Sequence, residues 1–498
     1  MQRYSLGTTL SRVPTMLLLF STAAAFEAKN LSSLSYLSNG DVWWHLRTGI
    51  WMLQTHILPH NGLFSQSAEL HWQSSSWLYD LLVASAFRML GLLAIPLLLM
   101  AFKLLLALVT FFVAGGLRGR FWPAVLLSAV SQYILGSVPL GPGYGSILFF
   151  GIELFLLIEV RHTVNERFLF WLPPLFLLWA NLDVQFVYGI LLFVLFLIAF
   201  FLRTLQPRTG AGDTQLEWAA GSSANVGIVA MLCGIATLIT PYTYHFYGVF
   251  FTSVTSGANR YLSNFHAPGF RQPQDYILLL LTMAAYLALG MRRSRDPFQI
   301  GLMIGCSLLS FYAQRNSWLV ALAAIAVIGE AMREHGIRDT TSIADANTQY
   351  KRSRQLLSAG GLSIGILLMV AAVTIPRGNE ALLAKAGESY PVAACNYIRE
   401  HRLPQPLFNS YPWGGFLTWY LPEYPVAIDS RAGLYDDDFI AQYFKVMNAD
   451  SPYQSYPAMA QAGTLLLERK SVMGQALSSV PAFRVAYSDS VAVVLTKP

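Results

Sequence analysis

Apolar runs recur along most of this chain, and that recurrence restricts it to very few folds. They fall at 13 to 26, 78 to 114, 121 to 137, 145 to 160, 168 to 182, 186 to 203, 224 to 241, 275 to 291, 298 to 313, 317 to 332 and 357 to 375. A helix needs about 20 apolar residues to cross a bilayer, and within lipid only helices and closed barrels satisfy their own backbone. Read as helices, the runs predict a polytopic α-helical membrane protein of about eleven transmembrane helices. Composition agrees: 54% of the 498 residues are hydrophobic and 12% charged, about half the charge that a water-soluble surface carries. The run 78 to 114 is too long for one crossing, and Arg88, Gly91 and Pro96 interrupt it. It reads as an interfacial piece followed by one span. Cys233, Cys306 and Cys395 offer no obvious disulfide pair.

Charge sets the expected orientation. Arg118 and Arg120, Arg161 and Arg167, Arg203 and Arg208, Arg292, Arg293 and Arg295, then Arg338, Lys351, Arg352 and Arg354 all fall in alternate connections. Basic clusters stay cytoplasmic, so the intervening segments 28 to 77, 138 to 144, 181 to 185 and 242 to 274 are expected on the outer face, together with everything after 377. The chain is therefore expected to cross its membrane many times, with the C-terminal domain, and any active site in the long loops, on the outer face. The net charge of +6 is accounted for by these loops, so no nucleic-acid partner is implied. The first run follows Arg3 and Arg12 and ends in Ala23-Ala24-Ala25; it reads as a span, with a cleaved signal peptide as the alternative.

From 377 to 498 charged residues interleave with short apolar runs, the mark of a separate soluble domain. The periodicity predicts helices at 391 to 401, 413 to 421 and 436 to 448, and strands at 405 to 409, 424 to 428, 463 to 468, 482 to 487 and 491 to 496. The alternation suggests a small α/β layer. The membrane runs are read as empty of charge apart from Arg88, Lys103, Glu153 and Glu159, placed toward helix ends or in the irregular second run.

The segment 28 to 77 is longer than a connection requires. It holds Asp41, Trp43, Trp44, His45 and Arg47 within seven residues, and Trp72 and Trp77 further on. Aromatic faces can cover a pyranose while a carboxylate and an imidazole take its hydroxyls or activate a nucleophile. The same residues also suit an amphipathic helix lying on the bilayer and anchored by its indoles. His245 and His266 lack the spacing of metal ligands and read as structural or interfacial, with His266 grouped among the substrate contacts.

The run Asp41-Val-Trp-Trp-His-Leu-Arg-Thr-Gly49, with Pro59, Phe64-Ser65 and Trp72 to Leu78, resembles the first-loop signature of bacterial membrane proteins of the GT-C glycosyltransferase superfamily. Further matches follow in order: Leu178-Trp-Ala-Asn-Leu182, Thr240-Pro241-Tyr242, Gln314-Arg-Asn316, Phe408-Asn-Ser-Tyr-Pro-Trp-Gly-Gly415, Ile428-Asp-Ser-Arg431 and Leu434-Tyr435. The resemblance implies a GT-C-like enzyme that takes a sugar from a polyprenyl-phosphate carrier and passes it to a glycan, lipid or protein acceptor outside the membrane. It places Asp41 as general base or as a residue that helps hold a metal; the first role fits a hydroxyl acceptor, which loses its proton as it attacks. Arg315 is the expected cation for the leaving phosphate, against a snorkelling interfacial role. Trp413 and Arg431 are the tail's candidates for acceptor contact. Against them stand tight packing at Gly414-Gly415 and a surface ion pair between Asp429 and Arg431.

Departures from the family pattern bear on cofactors. Asn39 and Asn61 stand where relatives carry acids, Gly141-Pro142-Gly143-Tyr144 replaces an Arg-Pro turn, and Asp183 stands in place of a histidine. These changes leave few ligands for a divalent metal, and the sequence specifies no other cofactor. They also make Asp183 the second candidate catalytic acid. The alternative reading is an inactive relative serving as a lipid-carrier scaffold, or a transporter, for which the runs lack the expected mid-membrane charges.

Overall fold

In the computed structural model, which describes residues 40–116, 121–136, 138, 140–163, 165–204, 223–292, 296–336, 378–431 and 433–497, the apolar runs are helices. Those at 13 to 26 and 357 to 375 lie outside the described residues. In chain order the helices are α1 (Asp41–Thr55), α2 (Trp77–Leu90), α3 (Ala94–Val113), α4 (Phe121–Leu135), α5 (Gly143–Thr163), α6 (Leu172–Leu182), α7 (Phe186–Thr204), α8 (Ser223–Leu238), α9 (His245–Thr255), α10 (Pro273–Met291), α11 (Pro297–Tyr312) and α12 (Ser317–Gly336). Among the described residues, four helical stretches are long and apolar enough to cross a membrane: Trp77–Val113, Gly143–Thr163, Pro273–Met291 and Gln314–Met332. Four more are apolar but shorter. By length, then, four helices rather than eleven meet the requirement. The shortfall has local causes. The run 168 to 182 opens as a 3-10 turn, Glu166–Trp171, leaving α6 only 11 residues, and Pro123 and Pro297 mark the starts of two of the short stretches.

The long run breaks where expected. Gly91 takes φ +61°, and the 3-10 turn Gly91–Leu93 separates α2 from α3. Burial then sorts the helices. In α12 the residues from Trp318 to Glu330 are all buried, as befits a helix apolar all round. In the spans formed by α5 and α12, 78% of the apolar window is inside, against 33% for α10. Outer helices instead present Leu126, Leu191, Ile198, Met231, Leu280, Leu287 and Leu308 to the surroundings. A water-soluble monomer does not sustain so broad an apolar exterior.

Beyond residue 378 come α13 (Asn379–Ala386), α14 (Val392–Glu400), β1 (Leu407–Asn409), α15 (Gly414–Tyr420), α16 (Asp437–Met447), α17 (Pro457–Ala460), β2 (Thr464–Glu468), α18 (Val472–Ser478), β3 (Arg484–Ser488) and β4 (Ala492–Thr496). The sheet order is β1-β2-β4-β3, with β1 parallel to β2 and the other pairs antiparallel. The expected strand at 424 to 428 is only a single bridge between Ser65 and Val426. Its backbone bonds elsewhere: Val426 N–H donates to Phe64 O (3.1 Å), Ala427 N–H donates to Asn409 Oδ1 (2.8 Å), and Ile428 O accepts from Asn409 Nδ2 (2.8 Å).

Segment 40 to 76 packs into this tail. Trp44 and Trp72 share a core with Phe408, Ile428, Leu434, Leu465 and Leu495. Trp43 is fully buried, stacked on Trp419 at 4.8 Å and edge-on to Tyr390 and Phe416. None of these three buried indoles is placed to anchor to a bilayer surface, and Trp43 has no face left for a sugar. Gly414 and Gly415 are required by close approach, because a Cβ on Gly415 would lie 2.2 Å from Gly40 O and one on Gly414 2.2 Å from Ile428 O.

The view that the runs carry only four charges also needs correction. Asp80, Asp275 and Glu330 lie within them, and Glu153 stands at the middle of α5 rather than toward an end.

Candidate functional site

The site begins with the spacing of one helix. Asp41 opens α1, where the free backbone N–H groups favour a negative charge. Trp44 and His45 follow three and four residues on, so all three share a face. Trp44 Nε1 donates to Asp41 Oδ1 at 3.3 Å, and the indole lies over the His45 ring with centroids 3.6 Å apart. Ser430 Oγ, from the tail, also donates to Asp41 Oδ1.

Gly49, one turn beyond His45, lets α1 approach α2 closely: a Cβ there would sit 2.1 Å from Asp80 O. That approach sets His45 Nδ1 2.6 Å from Asp80 Oδ1. Both side chains are buried, at 4% and 0% exposure, so the carboxylate must be satisfied locally. Ser74 Oγ donates to Asp80 Oδ2 at 2.5 Å, and Ser76 Oγ lies 3.4 Å from Asp80 Oδ1 and 3.3 Å from His45 Nδ1. Tyr79 meets the imidazole edge-on at 5.0 Å. Facing an ionised carboxylate, a neutral imidazole here carries its hydrogen on Nδ1 and its lone pair on Nε2. Among the described residues nothing hydrogen-bonds to Nε2.

Asp183 caps the end of α6 in an extended conformation. Its Oδ2 accepts from Ser146 Oγ at 2.7 Å, and that hydroxyl accepts from Trp179 Nε1 at 2.7 Å. Burial pushes the Asp183 carboxyl above the usual range, against the pull of Ser146, Arg315, the Gln185 N–H and His45. Asp183 therefore lies within electrostatic reach of both His45 and Arg315. Arg315 sits in the turn Gln314–Asn316, partly buried, with its guanidinium 4.4 Å from the Phe265 ring centre. It makes no hydrogen bond or ion pair with any described residue.

The chain's other signature segments close around this point. Trp77 Nε1 donates to Asn181 Oδ1 at 3.2 Å, Asn181 Nδ2 to Ile239 O at 2.9 Å, Tyr242 Oη to Pro59 O at 3.0 Å, and Tyr188 Oη to Asn316 Oδ1 at 3.1 Å. Segments distant in sequence thus meet at one end of the bundle, beneath the tail.

Five of the expected residues, Asp41, Trp44, His45, Asp183 and Arg315, belong to this cluster. His266 stands at its rim, exposed, with Nε2 on Arg260 O at 2.9 Å and its own carbonyl accepting from Gln314 N–H. Arg47 lies over Phe64 at 4.8 Å, and its buried Nε has no hydrogen-bond partner among the described residues.

Trp43, Trp413 and Arg431 do not line the cluster. Trp413 is buried with Nε1 on Ser389 O at 3.1 Å. Arg431 is consumed by a bidentate pair with Asp429 (3.0 and 2.8 Å), by Leu63 O (2.6 Å) and by the Trp72 face. That pair is fully buried rather than at the surface, and it fastens the segment around Leu63 to the tail.

Asp80, Ser74 and Ser76 were not singled out from sequence. The available signal was an acid inside an apolar run, which by default marks a functional or buried polar site. Among the described residues no three His, Cys, Asp or Glu side chains gather as metal ligands would. No protein-family model matches the sequence, and no curated protein is significantly similar to it.

Proposed function

We propose that this chain is a membrane glycosyltransferase of the GT-C type, whose apolar helices cross a bacterial cytoplasmic membrane. In this reading it moves a sugar from a polyprenyl-phosphate carrier to a glycan, lipid or protein hydroxyl on the outer face. The observation that carries the reading is a pairing of opposite chemistries at one end of the bundle. Asp41 and His45 lie one helical turn apart on one face of α1, Asp183 feels the charge of both His45 and Arg315, and Arg315 brings a guanidinium whose donors no described residue uses. Glycosyl transfer needs both. The attacking hydroxyl gives up a proton, and the phosphate that leaves takes up negative charge, which a guanidinium fork binds well.

The scaffold reading predicts carrier binding without turnover, so turnover separates the two. Purified chain in nanodiscs is given labelled sugar on polyprenyl phosphate, with a panel of sugars, and a membrane-lipid extract as acceptor. Transfer by the wild type that falls at least tenfold in Asp41→Asn or Asp183→Asn supports the enzyme. Binding of the carrier with no transfer from any donor supports the scaffold.

A further inference from the structure

We infer that the group taking the acceptor's proton is His45 through Nε2, with Asp80 as its positioning residue, and that Asp41 orients rather than abstracts. This rests on the transferase reading above and names the base within it.

Three observations separate the two acids from the imidazole. The Asp41 carboxylate accepts from Trp44 Nε1 and from Ser430 Oγ. Donors aimed at a carboxylate stabilise its charged form and weaken it as a base. Asp183, though burial raises its carboxyl, has Oδ2 occupied by the Ser146 hydroxyl, itself fixed by Trp179. His45 has the opposite arrangement. One nitrogen is held by a fully buried carboxylate, the ring is clamped between Trp44 and Tyr79, and the second nitrogen is left to whatever enters the site. A carboxylate behind an imidazole sets the tautomer, fixes the ring and stabilises the imidazolium that forms. The serines complete the arrangement, since Ser74 and Ser76 bind Asp80 and keep it facing the ring.

The step balances with groups already in place. The acceptor O–H proton passes to His45 Nε2 as the acceptor oxygen bonds to the anomeric carbon. The bond from that carbon to the carrier oxygen breaks, and its electron pair leaves with the phosphate, whose charge meets Arg315. The imidazolium, paired with Asp80, then returns its proton to water.

The test uses the full chain in nanodiscs with labelled sugar on polyprenyl phosphate. His45→Ala is expected to lower kcat about 100-fold or more while KM for the carrier changes little, and added imidazole restores part of the rate. Asp80→Asn is expected to lower kcat about tenfold or more while KM for the carrier changes little, because the imidazole has lost the carboxylate that orients it. Asp41→Asn should act mainly on KM for the acceptor. The inference is overturned if His45→Ala keeps its kcat while Asp41→Asn loses it, or if folded His45→Ala is inactive and imidazole restores nothing.

A second measurement does not depend on turnover. Diethyl pyrocarbonate modifies the lone-pair nitrogen of a neutral imidazole, and peptide mass spectrometry locates the adduct. Modification of His45, altered in rate in Asp80→Asn, supports an available Nε2 even if no sugar is transferred, in which case the transferase reading fails alone. An unreactive His45 in the native chain sinks the inference whatever the transfer assay gives.

Discussion

The two ends of the same pair of buried helices hold ionisable groups in opposite ways. Near the start of α5 and of α12 lie Ser146 with Asp183, and Arg315. Near their other ends, about 20 Å away at 1.5 Å per residue, Arg161 pairs with Asp296 and His162 Nε2 meets Glu330 Oε1 at 2.8 Å. Arg161 also stacks on Phe298 at 4.6 Å. At this second end Arg161 with Asp296 and His162 with Glu330 are paired side chain to side chain, and the pairs tie α5 to α11 and α12. At the first end His45 Nε2 and the Arg315 guanidinium have no hydrogen-bond partner among the described residues. Mutual saturation is what structure asks of buried charge. Groups oriented on one side and open on the other are what chemistry asks.

The comparison breaks hardest at the saturated end. Asp296→Ala takes a carboxylate partner from Arg161 and removes the cap that Asp296 Oδ1 provides to Phe298 N–H at 3.2 Å. A loss of about 4 kcal/mol is expected, about 3 from the broken pair and about 1 from the cap. Thermal unfolding in detergent reads it, and Arg161→Met with Asp296→Leu should recover most of it. If the single variant unfolds like the wild type, the saturated end is not structural.

At the open end the expected effect shifts from stability to turnover. Asp183→Asn keeps an acceptor for Ser146 and should leave the fold intact while lowering transfer about tenfold, through the charge that Asp183 presents to Arg315 and His45. It should also change how stability depends on pH. A carboxyl whose folded pKa is raised contributes stability that is full below its unfolded pKa and lost as pH rises through the folded one. The wild type should therefore lose Tm from about pH 4 upward relative to Asp183→Asn, and parallel curves would contradict the burial argument.

Between the two ends stands Glu153, whose carboxylate oxygens are buried without a hydrogen-bond partner among the described residues. Gly189 makes room for it, since a Cβ there would fall 2.7 Å from Oε2. Glu153→Met should raise stability by about 1 kcal/mol or more. A fall in Tm would mean that the carboxyl belongs with one of the two ends after all.

Much of the tail was legible because its signals are local. The helix at 391 to 401 and the strands at 463 to 468 and 491 to 496 appear at 392–400, 464–468 and 492–496, each marked by a few neighbouring residues. The break at Gly91 was legible for the same reason. The strand at 424 to 428 failed because its partners are Asn409 and the segment 64 to 66, which no local pattern announces. The site divides along the same line. The face shared by Asp41, Trp44 and His45 follows from helical spacing alone. Asp80 reaches His45 only because Gly49 lets two helices touch, and Trp43 is shut away by residues from Tyr390 to Trp419. Contacts across such separations leave no periodicity to read.

The most direct test of the contrast is carrier binding at both ends. Affinity for polyprenyl phosphate is measured by native mass spectrometry on the wild type, Arg315→Gln and Arg161→Gln, each checked for folding. The account predicts that Arg315→Gln weakens binding about tenfold or more, while folded Arg161→Gln binds as the wild type does. Equal binding by all three, or a loss confined to Arg161→Gln, would contradict it.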